Sequence, residues 1–536
     1  MKQIQGNTGA KPWDQWRLGG WGAFLFLLGI FLFSHPGRID SLDAQVRFEV
    51  SRNMVNLVGP EIRDYYILST PLPKNAATGK TYSFYTAPAS LVPIPLMVVA
   101  RAFVGNNVAT DHFSFCIVSA FAGACIGPLL LAFFRRLGVD FKQALGWMLV
   151  FGLTTLWWPG SETAFDQCQH GVALLGMIMT AYDVVKRGSW GAAFAAGLLG
   201  GLLVNYRIPF VALLPAIPVY WFLEAKRAHT EGNWKSRVFA QTCLFGVGIA
   251  ICFVGYAYYN WVRYGSVNMP HFDNGGAQML ANPITGFLTL SVSPGKGVLW
   301  FSPPLVLAVI GFKQFFKAER GLAGLIFAIT VLHFGEMSCL SFASGDECWG
   351  PRYMMAIMPL WALAFPYIAV KVAKSVFAYT VIGLGLIIQL MAVSVDNSRF
   401  FSYRRLPPNF FLDGWAYFKY SQLLARPAEL LENIQTRNKV RPHVTSTPDG
   451  DITYMPFGPA QHMTVSKTGQ RIITFTDPRV FQEDYKVFYA PRPWWGWINE
   501  IPTEKRPVPP GAFFGLCLVS TVLGAGLLWG AVGRKQ

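Results

Sequence analysis

The chain has 536 residues, of which 52% are hydrophobic and only 14% charged, and it carries a net charge of +16. Soluble domains carry about 25% charged residues; here the shortfall comes with long apolar runs, which excludes a soluble enzyme, a disordered chain and a disulfide scaffold. The cysteines are scattered, mostly inside those runs (Cys116, Cys125, Cys243, Cys252, Cys517), and no CxxC or Cys/His spacing marks a metal site.

The chain opens with a short basic stretch, Met1–Arg17, followed by the apolar run Leu18–Phe33. No small-x-small cleavage site follows and further apolar runs do, so this reads as a first span with a cytoplasmic N-terminus. Later runs are Phe113–Phe134, Ala144–Trp158, Gly171–Val185, Trp190–Val204, Pro209–Leu223, Phe239–Tyr258, Val298–Phe312, Gly321–Leu340, Met354–Val370, Ser375–Val395 and Gly511–Val532. Together they predict about twelve transmembrane helices.

The run Ala87–Val104 is also apolar, but it carries Pro88, Pro93, Pro95 and Arg101. Charge decides its place. If it lies in the outer interface, 19 of the 45 Lys and Arg fall on the cytoplasmic side, and the short outer loops keep only Arg207, Arg263, Lys296 and Arg352. If it spans, the bias between Phe134 and Val395 reverses. The cations are then topology signals spread over many loops, and a nucleic-acid partner is excluded.

The expected fold is an all-α polytopic membrane protein with juxtamembrane helices in the first outer loop, plus a small α+β periplasmic lobe. Residues 1–395 form the transmembrane domain, with 34–112 as its first outer loop. Residues 396–510 form the lobe, with a helix over Trp415–Glu432 and strands at Ile452–Met455, Ile472–Phe475 and Lys486–Tyr489. Residues 511–536 supply the last span and a cytoplasmic tail.

Acidic residues crowd the outer loops. In the first, Leu42, Val46, Val50 and Met54 recur every four residues, one apolar stripe on a helix lying along the membrane surface. Ser41 is a suitable N-cap, which puts Asp43 in the first turn, where it either complements the helix dipole or does chemistry; Asp40 precedes it. The second outer loop supplies Glu162, Asp166 and His170, the last two one helical turn apart. Arg207, Lys296 and Arg352 are outer cations that either snorkel or hold an anion. His333 and Glu336 are ionisable residues inside a span.

These segments resemble a known family. Ser41-Leu42-Asp43-Ala44, the aromatic turn Tyr82-Ser83-Phe84-Tyr85 leading to Pro95-Leu96, Gly152–Pro159, Ser293-Pro294-Gly295-Lys296-Gly297 and Trp349-Gly350-Pro351-Arg352-Tyr353 look like the GT-C superfamily of integral-membrane glycosyltransferases, of the bacterial phospholipid-carrier-dependent type. The match covers roughly Leu18–Leu360. It implies transfer of a sugar from a polyprenyl-phosphate donor to a glycan, lipid or protein acceptor at the outer face of the bacterial inner membrane, with both termini cytoplasmic. It implies Asp43 as general base with Asp40 beside it, and Glu162 or Asp166 as an acceptor-orienting or metal-binding carboxylate. His170, Tyr82 and Tyr85 are implied substrate contacts, with Arg352, Lys296 and Arg207 on the phosphate. Many relatives carry Asp-Glu where this chain has Asp43-Ala44, so the need for a divalent cation (Mg2+, Mn2+ or Ca2+) stays open. Inversion is the expected stereochemistry, since direct displacement needs only one base. The alternatives are an oligosaccharide ligase or polymerase using a lipid pyrophosphate, and a lipid or solute transporter, which would show paired repeats and midplane charges.

Overall fold

The computed structural model describes residues 13–37, 39, 42–62, 75, 77–106, 108–228, 233–267, 281–345, 348–395, 397, 400, 401, 406, 407, 410–436, 452–454, 461–465, 471–475 and 510–533. Apolar runs become helices because a backbone in hydrocarbon must satisfy its own N–H and C=O groups. Helix α1 (Trp13–Ser34) is followed in the first loop by α2 (Leu42–Val55), α3 (Ala87–Leu91) and α4 (Ile94–Val104). Then come α5 (Val108–Cys116), α6 (Val118–Ala124), α7 (Ile126–Arg136), α8 (Phe141–Thr154), α9 (Trp157–Gly160), α10 (Gln167–Arg187), α11 (Trp190–Tyr206), α12 (Ala216–Arg227) and α13 (Trp234–Tyr264). The rest comprises α14 (Pro283–Ser291), α15 (Val298–Phe301), α16 (Leu305–Ala318), α17 (Arg320–Ser338), α18 (Met358–Ala362), α19 (Val370–Ala373), α20 (Val376–Ser394), α21 (Ala416–Lys419), α22 (Gln422–Thr436) and α23 (Pro510–Gly533). The protein is a polytopic, mainly helical membrane protein: among the described residues, nine helical segments are long and apolar enough to cross a membrane.

Three expected spans take another form, and a fourth, Trp190–Val204, yields α11, a shorter apolar helix of 17 residues. Val298–Phe312 is split between α15 and α16 at Ser302-Pro303-Pro304, where proline removes donors and clashes with the preceding turn. Met354–Val370 is a chain of short turns, Arg352–Ala356, α18, Phe365–Tyr367 and α19, punctuated by Pro359 and Pro366. Ala144–Trp158 yields α8, whose 14 residues reach about 21 Å, short of a bilayer core of about 30 Å. The run Ala87–Val104 counts among the nine by length and composition, yet it divides at Val92-Pro93 into α3 and α4.

Close helix crossings rest on glycine. A Cβ on Gly524 of α23 would stand 2.3 Å from the Phe26 backbone nitrogen in α1, and one on Gly197 of α11 would stand 2.1 Å from the Phe245 carbonyl in α13. Small residues let membrane helices approach this closely, so that packing can hold them where lipid offers no hydrophobic gain.

The surface stripe expected on α2 packs inward instead. Val46 and Val50 are buried with Ile62 against Phe84 and Tyr85, while Ala44 and Phe48 are buried with Met97, Phe115 and Ala164. Protein covers both faces of this helix. Near its C-terminal end, Asp111 of α5 is 1% exposed and receives two hydrogen bonds from Arg101 of α4 (2.6 and 2.7 Å) and one from Arg52 of α2 at 3.3 Å.

After α20 the chain packs back on the bundle. The Gly295 amide donates to the Tyr417 carbonyl at 3.0 Å, and buried Arg426 of α22 donates to the Val395 carbonyl at 2.8 Å. Beyond it, strands β1 (Ile452–Tyr454), β2 (Gln461–Val465) and β3 (Arg471–Phe475) form an antiparallel sheet in that order. Two match expected strands. Strand β2, Gln-His-Met-Thr-Val, escaped notice because only two of its five residues are apolar, and the expected strand Lys486–Tyr489 lies outside the described residues.

Candidate active site at one end of the bundle

Helices α10 and α11 are antiparallel neighbours joined at Gly188-Ser189, with Gly188 in the left-handed region at φ 62°. Where α10 begins, α11 therefore ends. This brings Asp166 and His170, at the start of α10, beside Arg207, which caps the end of α11. The first turn of α2 delivers Asp43 to the same place, and the 3-10 turn Arg352–Ala356 delivers Arg352 and Tyr353.

These side chains close into a ring. Arg352 Nη2 stands 3.6 Å from Asp43 Oδ2; the arginine side chain is 4% exposed and the carboxylate 34%. The Arg352 guanidinium lies over the Phe165 ring at 3.9 Å and the Tyr353 ring at 5.1 Å. Arg207 lies over Tyr353 at 5.1 Å and reaches Asp166 at 3.8 Å. Asp166 also pairs with Arg47 at 3.2 Å and His170 at 3.5 Å. Arg47 closes the circuit: it donates from Nε to the Asp43 carbonyl and from Nη2 to the Ala164 carbonyl, each at 3.1 Å, and lies over Tyr85 at 5.4 Å. Three guanidiniums thus serve two carboxylates, and of the two acids Asp43 is the accessible one.

Burial and charge act against each other here. Burial alone raises the Asp166 pKa, but His170, Arg47 and Arg207 outweigh it and hold the carboxyl well below its ordinary range. Asp166 is therefore ionised and committed to its cations. Tyr85 is hydrogen-bonded to Asp43; burial first and the carboxylate second push its phenol well above the ordinary value. Its hydroxyl keeps its proton and donates to Asp43.

Two of the expected residues act at one remove. Lys296 is buried, and its ammonium donates to the carbonyls of Cys348 (2.7 Å) and Gly350 (3.1 Å). It braces the loop that presents Arg352. Glu162 is fully buried and accepts a hydrogen bond from Ser34, whose hydroxyl also accepts from Trp158 Nε1 at 2.9 Å; it ties the end of α1 to the turn before α10. Tyr82 packs edge-on against Tyr264, ring centroids 6.1 Å apart. Asp40 lies outside the described residues, as does Ser41.

Sequence reasoning passed over two residues. Arg47 follows Asp43 by one helical turn, a spacing that puts both on one face, and that signal was available. Arg263 is buried and donates to the carbonyls of Ser83 at 2.6 Å and Tyr85 at 2.7 Å. It fixes the aromatic turn, although in sequence it is a lone cation at the end of a span. As for a metal, no group of three His, Cys, Asp or Glu side chains stands together among the described residues. Asp43 has an alanine next to it and faces a guanidinium, so the described ring offers a divalent ion no pair of adjacent carboxylates.

No protein-family model matches the chain, and no curated protein matches it. Among solved structures it is similar to ArnT from Cupriavidus metallidurans bound to undecaprenyl phosphate, with a TM-score of 0.46 and 14% identity over 77% of this chain and 78% of that one. It is also similar to the Archaeoglobus fulgidus oligosaccharyltransferase in complex with zinc and sulfate, with a TM-score of 0.44 and 12% identity over 74% and 53%. The oligosaccharyltransferase AglB of the same organism, in complex with an inhibitory peptide and a dolichol-phosphate, gives 0.43 and 13% over 79% and 58%.

Proposed function

We propose that this protein transfers a sugar from a polyprenyl-phosphate donor to a hydroxyl of a glycan, lipid or protein acceptor, at the outer face of a bacterial inner membrane. One observation carries the reading: an accessible carboxylate, Asp43, faces a buried guanidinium, Arg352, inside a ring with surplus positive charge at one end of a membrane-helix bundle. A lipid-linked donor keeps its phosphate at the membrane interface, which is where span ends place their polar groups.

In the step, Asp43 takes the proton of the acceptor hydroxyl and the freed oxygen forms a bond to the anomeric carbon. The bond from that carbon to the phosphate oxygen breaks, and its electron pair leaves with the lipid phosphate. Arg352 and Arg207 stabilise that charge. Asp166 holds Arg47 and Arg207 in register, and the displacement inverts the anomeric centre. The charge arrangement supports a lipid-phosphate enzyme over a transporter, because Asp43, Asp166, Arg207 and Arg352 pair at the ends of their helices and not in helix middles.

The test uses purified protein, undecaprenyl-phosphoryl sugars and an acceptor fraction from the same envelope. Asp43→Asn is expected to lower transfer by about a thousandfold while detergent-solubilised protein keeps its melting temperature. Unchanged transfer by this variant would remove Asp43 from the chemistry, and the absence of transfer or lipid-phosphate binding by the unmodified protein would remove the reading altogether.

A further inference from the structure

Helix α22 is inside out. A helix facing water buries its apolar stripe and turns its polar one outward. Here Gln422, Arg426 and Glu429 are buried, while Leu424, Leu431 and Ile434 are 75%, 56% and 58% exposed. Pro427 and Ala428 are exposed between them, at the helical spacing that puts all five on one face. The buried side explains the orientation. Arg426 donates to the Val395 carbonyl at 2.8 Å and to the Asn397 side chain at 3.1 Å, stands 3.5 Å from Glu429 and lies over the Trp349 ring at 4.7 Å. These contacts hold the polar face against the bundle, so the apolar face is the one left outside.

Position says what that face meets. Helix α22 packs on α20, which is long and apolar enough to cross a membrane, and Arg426 bonds at the C-terminal end of that span. The same end holds the ring, since Arg426 lies over Trp349, three residues before Arg352. Helix α22 therefore sits where α20 leaves the membrane. The lipid side of α20 is apolar too, with Ile387 and Leu390 exposed. Just before α22, Trp415 and Phe418 are exposed, with ring centroids 5.5 Å apart; aromatic side chains collect at the border between headgroups and hydrocarbon. From Leu424 to Ile434 every exposed described position is apolar. A protein interface carries a polar rim with hydrogen bonds, whereas acyl chains require none.

We infer that α22 lies along the membrane interface at the ring's end of the bundle, with its Leu424–Ile434 face seated in lipid acyl chains. The inference does not depend on the transfer reaction. Full-length protein in phospholipid nanodiscs is labelled with a nitroxide at Leu424→Cys or Leu431→Cys, in a chain whose exposed Cys243 is replaced by serine and whose residual signal is subtracted. Power saturation reads collisions with oxygen, which concentrates in hydrocarbon, and with a nickel chelate, which stays in water. Both positions are expected to favour oxygen several-fold. That is the pattern expected at Val522→Cys on the exposed face of α23 and the opposite of that expected at Lys142→Cys, at the exposed start of α8. The unmodified protein supplies a second measurement. With a phospholipid carrying a diazirine on its acyl chain, photolysis is expected to leave lipid adducts on the tryptic peptide Tyr420–Arg437, which stays whole because Pro427 blocks cleavage after Arg426.

Chelate collisions that match those at Lys142 put the face in water and overturn the inference. Low collisions with both agents mean that protein covers the face, and overturn it too; spin–spin broadening then separates a second copy from the rest of this chain. Where a labelled variant loses its melting transition, the unmodified protein decides. A Tyr420–Arg437 peptide free of adducts, while α23 carries them, overturns the lipid-seated face.

Discussion

Two charged clusters flank the same helix and have opposite character. At the end of α2, Asp111 is held by Arg101 and Arg52 and is 1% exposed, with its oxygens fully engaged. At its start, Asp43 has a guanidinium at 3.6 Å and a side chain one-third exposed. Both are carboxylates among arginines in the same loop. The difference is access: a closed cluster fastens α2 to α4 and α5, while an open one leaves an accessible carboxylate facing a cation. Charge density alone would not have told them apart.

Substitution can sharpen that contrast. The largest effect on stability is expected at the closed cluster. Asp111→Asn leaves two partly buried guanidiniums without their counter-charge, and the loss is expected below the about 3–5 kcal/mol of a fully buried pair. It should lower the melting temperature in detergent, and transfer should fall in step with the loss of folded protein. Asp43→Asn is expected to do the reverse, removing transfer and sparing the fold. If Asp43→Asn melts the protein as badly as Asp111→Asn, the two clusters are alike and the open one has no special standing.

Arg352→Lys tests the open cluster from its cationic side. Lysine keeps the charge but loses the planar fork that stacks on Phe165 and can take a phosphate through two nitrogens. A loss of about ten- to a hundredfold in transfer is expected, with weaker binding of undecaprenyl phosphate. A lysine variant that binds and reacts normally would show that a point charge suffices. Lys296→Met should cost about tenfold, because the Cys348–Gly350 carbonyls lose their donor and Arg352 loses its register. Partial recovery in Lys296→Arg would mark this as positioning.

Much of this was legible in the sequence. Asp43 could be read from an apolar stripe and a helix start, and Arg207 and Arg352 from running against the charge bias of their loops. What could not be read was the packing partner. Lys296 was indistinguishable from Arg352 as an outer cation, because only the folded chain shows that its ammonium is buried and donates to backbone carbonyls. The inward turn of the α2 stripe was hidden too, since an apolar face has the same periodicity whether it meets lipid or α4. The broken runs at Pro303-Pro304 and Pro359 were visible as prolines, but mean apolarity over a window outweighed them.

The smallest expected effect is at Tyr85. Its hydroxyl donates to Asp43, and its burial puts the phenol well above the ordinary tyrosine value of about 10. A group whose pKa is raised in the folded state keeps its proton through the ordinary range and loses it only as the pH climbs past the raised value. Tyr85→Phe removes one hydrogen bond that orients the base, and a drop in kcat of up to about tenfold is expected. KM should be unchanged, because Tyr85 touches the base and not the lipid phosphate. The ratio of wild-type to variant rates should then stay flat up to about pH 10, since the wild-type phenol is still donating there. A ratio that falls toward one as the pH approaches 10 would mean that Tyr85 ionises like an exposed tyrosine. In that case the hydrogen bond to Asp43 does not hold in the working protein, and the open cluster is wetter than its geometry shows.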